Sequence, residues 1–386
     1  MKKVVVFHHV SNLGGGTISL VDVCQMLASS YEVVAVIPRK NSEQLTERLQ
    51  PFARVKHFEG VMPQIAYYSG SQALISRSFF SSFCVPADAV REIVDSIAEE
   101  DPDIILANSM VQCRMGKYLK RLRAKKLIYV RETFREGLVS RYMIRLINRY
   151  FDGVLCISPY EKDYARFALP CEVITDCYVP TAETSPSQDQ SHFTVLFLGG
   201  DARIKGLDIL LRSIEHVQCA DVRYAVCGHI GSFAGTWKNR LLHPFEMRRL
   251  KRIQTLLARH RDKVTLHGFV SNTAQMIVDS DVIVFPSTVP HQARPALEAG
   301  EFSRPVILSD FPQTAAFMRH EHNCLTFRPN DPRALARAID RLADDPSLAK
   351  TLGENNRRVN RECHDFLRER ERFMQFISRV LEGETQ

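Results

Sequence analysis

The 386-residue sequence has no apolar run approaching the roughly 20 residues that a membrane-spanning helix needs. The N-terminal stretch MKKVVVFHHV begins with basic residues, but its apolar run is short and is interrupted by His8 and His9. This pattern predicts a first β-strand and not a signal peptide. Any contact with a membrane is therefore expected to be peripheral.

The chain contains 10 cysteines, yet it has neither a CxxC pair nor a Cys/His spacing typical of a metal site. Most of the cysteines, such as Cys24 and Cys156, lie within apolar segments, which indicates reduced core thiols in a cytoplasmic protein. Asp101 and Asp103 form an Asp-x-Asp triad, but they precede a strand as turn residues. The sequence therefore predicts no metal site.

The composition, with 45% hydrophobic and 25% charged residues, is typical of a soluble globular protein, and the length predicts two domains. The formal net charge of +7 indicates affinity for acidic partners, which include nucleotides, anionic lipid and nucleic acid. Basic residues cluster within 120–126 and 248–263, where a solvated helix face is the ordinary explanation.

Apolar strand patterns alternate with helical patterns in both halves of the chain, which predicts an α/β protein with a mostly parallel sheet in each half. The strand candidates are Lys3–Phe7, Tyr31–Ile37, Ile104–Ala107, Leu127–Val130, Gly153–Ile157, Phe193–Leu198, Val222–Cys227, Val264–Leu266, Val282–Phe285 and Val306–Ser309. A polar segment at 181–192 reads as a linker between an N-terminal domain, 1–180, and a C-terminal domain, 193–364. The helical segment 365–386 either packs back on the first domain or caps the second.

The most informative stretch surrounds Glu298. A short apolar strand ends in a loop, a helix opens near Pro295, and another apolar strand follows, which is the order of a βαβ unit. In such units the carboxyl ends of strands and the amino ends of helices form the ligand crevice. A carboxylate just inside that helix suits a ligand that carries both hydroxyls and phosphates, such as a nucleotide sugar.

This stretch resembles the second half of the glycosyltransferase 4 family, which has the GT-B fold and a pattern of Glu, seven residues and Glu. Glu298, followed by Ala299 and Gly300, matches the second acid, which in the family binds the donor ribose. Pro290 stands where the acid that contacts the donor sugar is expected. The resemblance implies two Rossmann-like domains whose parallel sheets face a central cleft. It also implies a retaining, metal-independent enzyme with a UDP- or GDP-linked sugar as donor and no cofactor.

A second motif follows the strand FTVLFLGG, where Gly200, Arg203 and Lys205 resemble the family turn whose basic residues meet the donor diphosphate. A leaving nucleoside diphosphate gains negative charge as the glycosidic bond breaks, and fixed cations beside it stabilise that transition state. His267 and Phe269 match the turn that holds the nucleobase in the family.

The loop after the strand Val282–Phe285 is expected near the donor sugar. It contains His291 and Gln292, whose side chains are candidates to replace the contacts of the missing first acid. Arg294 stands at the start of the helix that bears Glu298 and completes the donor-binding candidates.

In the first half, Gly14 and Gly15 lie at a strand-to-helix turn, where backbone without a Cβ can approach a phosphate. The spacing is not GxGxxG and no acid follows the second strand, which disfavours a nicotinamide-dependent dehydrogenase. In the family a Gly-Gly pair at this turn faces the donor, while a tight turn without a ligand is the alternative. Arg131 and Glu132 follow the fourth strand, where they are candidates to engage a phosphate or the acceptor, or else to form structural ion pairs.

The helix from Leu138 to Tyr150 carries Arg141, Arg145 and Arg149 at four-residue steps. Such a helix docks on anionic lipid or buries its apolar face in its own domain. The first possibility predicts a cytoplasmic protein that is peripheral at the inner face of the plasma membrane. The resemblance to family 4 implies an enzyme that builds bacterial surface polysaccharides. Its acceptor would be a saccharide or a lipid-linked saccharide, and no nucleic-acid partner is expected.

Two other functions fit the same fold. Pro290 and Arg131 depart from the family pattern, which leaves open a catalytically weak GT-B protein that acts as a binding subunit. A nucleotide-sugar epimerase or phosphorylase is the other alternative.

Overall fold

The computed structural model describes residues 1–65, 86–178, 184, 192–231, 244–270 and 272–383. The chain divides into two compact units: unit 1 comprises Met1–Cys177 and Phe366–Gln386, and unit 2 comprises Tyr178–Asp365. Most of the predicted linker, 181–192, lies outside the described residues.

Unit 1 is built on a 7-stranded parallel sheet with the strand order β3-β2-β1-β4-β5-β6-β7. Its strands are β1 (Lys3–Phe7), β2 (Glu32–Pro38), β3 (Arg54–Phe58), β4 (Ile104–Ala107), β5 (Lys125–Val130), β6 (Gly153–Cys156) and β7 (Cys171–Val173). Its helices are α1 (Gly15–Ala28), α2 (Glu43–Leu49), α3 (Ala87–Ala98), α4 (Gly116–Leu119), α5 (Leu138–Tyr150), α6 (Pro159–Ala165) and α13 (Phe366–Glu382), with a 3₁₀ turn at Met110–Met115. The central strands are buried on both faces, which explains their continuous apolar sequences.

Unit 2 contains a 6-stranded parallel sheet with the order β10-β9-β8-β11-β12-β13. Its strands are β8 (Phe193–Leu198), β9 (Val222–Cys227), β10 (Val264–Gly268), β11 (Val282–Phe285), β12 (Val306–Ser309) and β13 (Leu325–Phe327). Its helices are α7 (Leu207–Ser213), α8 (Pro244–Arg259), α9 (Thr273–Val278), α10 (Arg294–Glu301), α11 (Pro332–Asp344) and α12 (Pro346–Cys363), with 3₁₀ turns at Arg203–Lys205, Ile214–His216 and Pro312–Thr314. The predicted α/β class with a parallel sheet in each half is confirmed.

Three strands were not predicted from the sequence: β3, β7 and β13. Each lies at the edge of its sheet and pairs with a neighbour on one side only. β3 and β7 are only partly buried, so their sequences, RVKHF and CEV, mix polar with apolar residues. The apolar signal that identifies the central strands is therefore weak at these edges.

Helix α13 packs on the sheet of unit 1, although it follows unit 2 in the chain. Its apolar side chains Phe373, Phe376 and Val380 are buried in the unit 1 core. Arg372 and Arg379 donate hydrogen bonds of 2.7 and 2.8 Å to the carboxylate of Glu172 in β7. Apolar burial and ion pairs together fix the helix to this sheet.

Candidate functional site

The turn after β8 lies close to the ends of two neighbouring strands in unit 2. Gly206 has a φ of +76°, and a Cβ on it would lie 1.9 Å from the carbonyl oxygen of Pro286, which follows β11. Gly200 has a φ of +59°, and its Cβ would lie 2.4 Å from the carbonyl oxygen of His229, beyond β9. Only glycine fits such positions without strain. These glycines therefore bring the turn that carries Arg203 and Lys205 against the carboxyl edge of the sheet.

Lys205 contacts the loop that follows β11. Its Nζ lies 3.1 Å from Nε2 of His291 and 5.0 Å from the ring centroid of Phe285. Burial lowers the pKa of Lys205 to about 8, and the nearby Glu298 carboxylate opposes that shift. Arg203, by contrast, is exposed. The sheet edge thus holds one partly desolvated lysine and one solvated arginine.

Helix α10 begins at Arg294 with Pro295 in its first turn, a residue whose fixed φ suits a helix start. Glu298 is buried, and its Oε1 accepts a hydrogen bond of 3.1 Å from Nε of Arg294, one helical turn earlier. Burial and the Glu298 carboxylate raise the pKa of Tyr178 to about 12, which identifies Tyr178 as a neighbour of this acid. No sequence pattern points to Tyr178, because it lies far from Glu298 along the chain.

His267 and Phe269 flank the end of β10, two strands away from β8 in the sheet order. Gly268 between them has a φ of +63°, and its carbonyl oxygen accepts a hydrogen bond of 2.6 Å from the backbone N–H of Gly228. The side chain of Phe269 is 63% exposed. Gln292 is half-buried in the loop of His291. One cluster is therefore formed by Lys205, His291, Arg294 and Glu298. His267 and Phe269 lie further along the carboxyl edge of the same sheet.

In unit 1, Gly14 and Gly15 are exposed at the start of α1, and a Cβ added to either would meet nothing within 4 Å. The turn is closed by Thr17, whose Oγ1 accepts a 2.9 Å hydrogen bond from the Gly14 N–H and lies 3.0 Å from the Asn12 carbonyl oxygen. There is thus room for a ligand beside these glycines. The hydrogen bond to Thr17 also closes the turn without a ligand.

Arg131 is held within unit 1. Its Nη1 lies 2.5 Å from Oδ1 of Asp176, its Nε donates a 3.1 Å hydrogen bond to Oδ1 of Asn108, and its guanidinium stacks over Tyr129 at 4.0 Å. These contacts link the ends of β4 and β5 to the segment after β7. They match the structural ion pair that the sequence left as an alternative, and a role in substrate binding stays a prediction.

Glu132 has a different set of partners. Its carboxylate accepts a hydrogen bond of 3.0 Å from the backbone N–H of Met110 and another from the hydroxyl of Ser109. Burial raises the pKa of Glu132, and these hydrogen bonds oppose the shift. Glu132 thus caps the 3₁₀ turn that follows β4, and its proposed action on an acceptor hydroxyl also stays a prediction.

Among the described residues, no three His, Cys, Asp or Glu side chains are arranged to hold a metal ion. The helices in the same part of the chain are all too short or too polar to cross a membrane.

Residues 192–345 match the family model described as glycosyl transferases group 1. A curated relative, an uncharacterized glycosyltransferase of Methanocaldococcus jannaschii, is 23% identical over 228 residues, which cover 59% of this chain and 60% of the relative. The match thus spans less than two thirds of that relative's length.

Two solved structures share the architecture. Anabaena HepE in complex with UDP and glucose superposes with a TM-score of 0.78 at 17% identity. The superposition covers 98% of this chain and 100% of the HepE chain. Sucrose-phosphate synthase from Thermosynechococcus elongatus gives a TM-score of 0.76 at 18% identity, with both chains covered to 100%. The chain therefore has the GT-B fold, and the match of residues 192–345 to the group 1 model supports its being a glycosyltransferase.

Proposed function

We propose that this protein transfers a sugar from a nucleotide-linked donor to a saccharide or lipid-linked saccharide, with retention and without a bound metal ion. The reaction would be a step in the biosynthesis of polysaccharide or lipopolysaccharide at the cytoplasmic face of a membrane. The cluster of Lys205, His291, Arg294 and Glu298 carries this proposal. UDP and UDP-glucose are the ligands of the similar HepE structures, which favours a UDP-linked donor over a GDP-linked one.

The proposed chemistry follows from the charges in the cluster. Lys205 and Arg203 flank the carboxyl edge of the sheet, where their cations would stabilise the charge that grows on the departing diphosphate. Lys205 is the stronger candidate because it is partly desolvated, and electrostatic interactions strengthen as water is excluded. Glu298, just inside α10, would accept hydrogen bonds from the ribose hydroxyls.

Retention is proposed to proceed without an enzyme-bound sugar. The loop 287–294 contains no Asp, Glu or Cys, so it offers no carboxylate or thiolate nucleophile to the donor sugar. Glu298 on the adjoining helix is buried and already paired with Arg294. By analogy with the glycosyltransferase 4 family, which the sequence resembles, the acceptor hydroxyl would attack from the face on which the diphosphate leaves, and the leaving group would accept its proton.

The function is tested by incubating the protein with UDP-glucose, UDP-N-acetylglucosamine or GDP-mannose, with and without saccharide acceptors. Transfer to an acceptor supports the proposal. Binding without turnover would support the binding-subunit alternative instead, and isomerised or phosphorolysed sugar without an acceptor would support an epimerase or a phosphorylase.

Replacing Glu298 with glutamine is expected to weaken UDP binding by about 1 kcal/mol, because a hydrogen bond to a carboxylate contributes about 1.5–3 kcal/mol and one to a neutral amide about 0.5–1.5 kcal/mol. Isothermal calorimetry with UDP measures the change. Glu301→Gln is the matched control, since Glu301 lies on the same helix and accepts a 3.3 Å hydrogen bond from Asn360. Equal affinity of the Glu298 variant and the wild type would exclude a ribose contact.

UDP affinity is expected to fall as the pH rises from 7 to 9. Lys205 binds the diphosphate as an ammonium, and its lowered pKa of about 8 means that raising the pH through this value removes the charge. One pH unit above the pKa, about nine tenths of the lysine is neutral, so affinity drops by up to about tenfold. Calorimetry across this range checks the result, and the dependence should disappear in Lys205→Ala.

A further inference from the structure

His291, in the loop that follows β11, is adjacent to both Lys205 and Phe285. Its ring stacks on the ring of Phe285, with a centroid distance of 5.9 Å and an interplanar angle of 22°. Its Nε2 lies 3.1 Å from Nζ of Lys205, and the same Nζ lies 5.0 Å from the Phe285 centroid. The phenylalanine thus supports both the imidazole and the lysine head.

The chemistry of the two groups fixes the direction of this hydrogen bond. An ammonium has three N–H donors and no acceptor, so charged Lys205 donates and Nε2 of His291 accepts. The imidazole proton is then on Nδ1, and the ring is neutral. The bond to His291 uses one of the three ammonium donors.

Burial opposes the charge of Lys205, and the nearby Glu298 carboxylate offsets that effect only in part. A lysine has a flexible stem and, when buried, readily loses its proton. Its stem passes close to Gly199, where a Cβ would lie 2.9 Å from Cγ of Lys205, but the glycine offers nothing that orients the head. A hydrogen bond that the charged form donates favours that form and opposes the effect of burial.

We propose that His291 is a positioning residue for the transfer reaction, which accepts a hydrogen bond from the Lys205 ammonium and thereby holds it toward the leaving diphosphate. The inference rests on the proposed function, and it differs from a direct contact between His291 and the donor sugar. The two roles are distinguishable, because a positioning residue acts only while its lysine is present.

The test is a double-mutant cycle on sugar transfer. His291→Leu is expected to lower kcat by about tenfold with a smaller change in donor KM, because the lost orientation matters most as charge develops. His291→Gln, whose amide can accept in place of Nε2, should restore most of the rate. In a Lys205→Ala background, His291→Leu should have no further effect. A further tenfold loss of kcat in that background would overturn the proposal. Melting curves show that each variant folds.

A second measurement does not need turnover. The rate at which an amine-reactive reagent labels Lys205, followed by mass spectrometry across pH, gives the pKa of the lysine. This pKa should fall in His291→Leu and return toward the wild-type value in His291→Gln, while the labelling rate of the exposed Lys350 should be the same in all variants. An unchanged Lys205 titration would overturn the pairing. If no sugar nucleotide is turned over, the proposed function is wrong. The Lys205 titration then still tests whether His291 pairs with Lys205.

Discussion

Lys205→Ala is expected to lower kcat for sugar transfer by about 10²–10³, the range found when one preorganised group that stabilises a developing anion is removed. The lysine belongs to a turn that two glycines place against the sheet edge, and burial there lowers its pKa to about 8. A cation held in that environment does not reorganise as the diphosphate leaves. Arg203→Ala should have a smaller effect, because an exposed guanidinium is screened by water.

Steady-state kinetics at saturating donor measure this effect. Lys350→Ala is the matched control, since Lys350 is a lysine of the same unit with 78% of its side chain exposed and a 3.9 Å ion pair to Glu354. Melting curves should be similar for both variants, because neither substitution removes an apolar side chain from the core of unit 2. Wild-type turnover in Lys205→Ala would show that the diphosphate binds elsewhere.

Charge reversal of Arg141, Arg145 and Arg149 is expected to reduce binding to anionic vesicles by at least about 100-fold, since each basic residue near such a surface contributes about 1 kcal/mol. All three are exposed on α5, whose Met143 and Ile147 are buried in the unit 1 core. The helix therefore keeps its packing when the arginines are exchanged.

Two further features favour a lipid surface. Leu138 and Tyr142, on the same helix, are 79% and 42% exposed, which offers apolar side chains to the acyl boundary. The neighbouring segment 110–126 contains exposed basic residues and, like α5, has no Asp or Glu. The apolar face of α5 is thus partly buried in its own domain, while its arginine face is exposed to solvent.

Sedimentation with anionic and neutral vesicles at two salt concentrations measures the binding. The matched control reverses Arg333, Arg337 and Arg341, which have the same four-residue spacing on the exposed face of α11 in unit 2. This variant has the same net charge as the α5 variant, so equal losses would indicate a general charge effect. If the wild type does not sediment with anionic vesicles at low salt, α5 is an ordinary solvated helix.

The sequence predicted those structural features that are determined by residues close together along the chain. The central strands are uniformly apolar because both faces are buried, and the four-residue step from Arg294 to Glu298 places their side chains on one helical face. The hydrogen bond between Lys205 and His291 joins residues 86 positions apart, and no local pattern encodes it. For the same reason, only the folded chain identifies Asp176 as the partner of Arg131, which lies 45 positions earlier.

Helix α13 has a consequence for the order in which this protein can fold. Unit 2 is a continuous segment, Tyr178–Asp365, inserted between the two parts of unit 1. A ribosome therefore synthesises the whole of unit 2 before it makes the helix whose Phe373, Phe376 and Val380 are buried in the core of unit 1. Until then the nascent first unit exposes an apolar surface that invites aggregation or chaperone binding. A fragment that ends at Cys177 should retain this defect permanently.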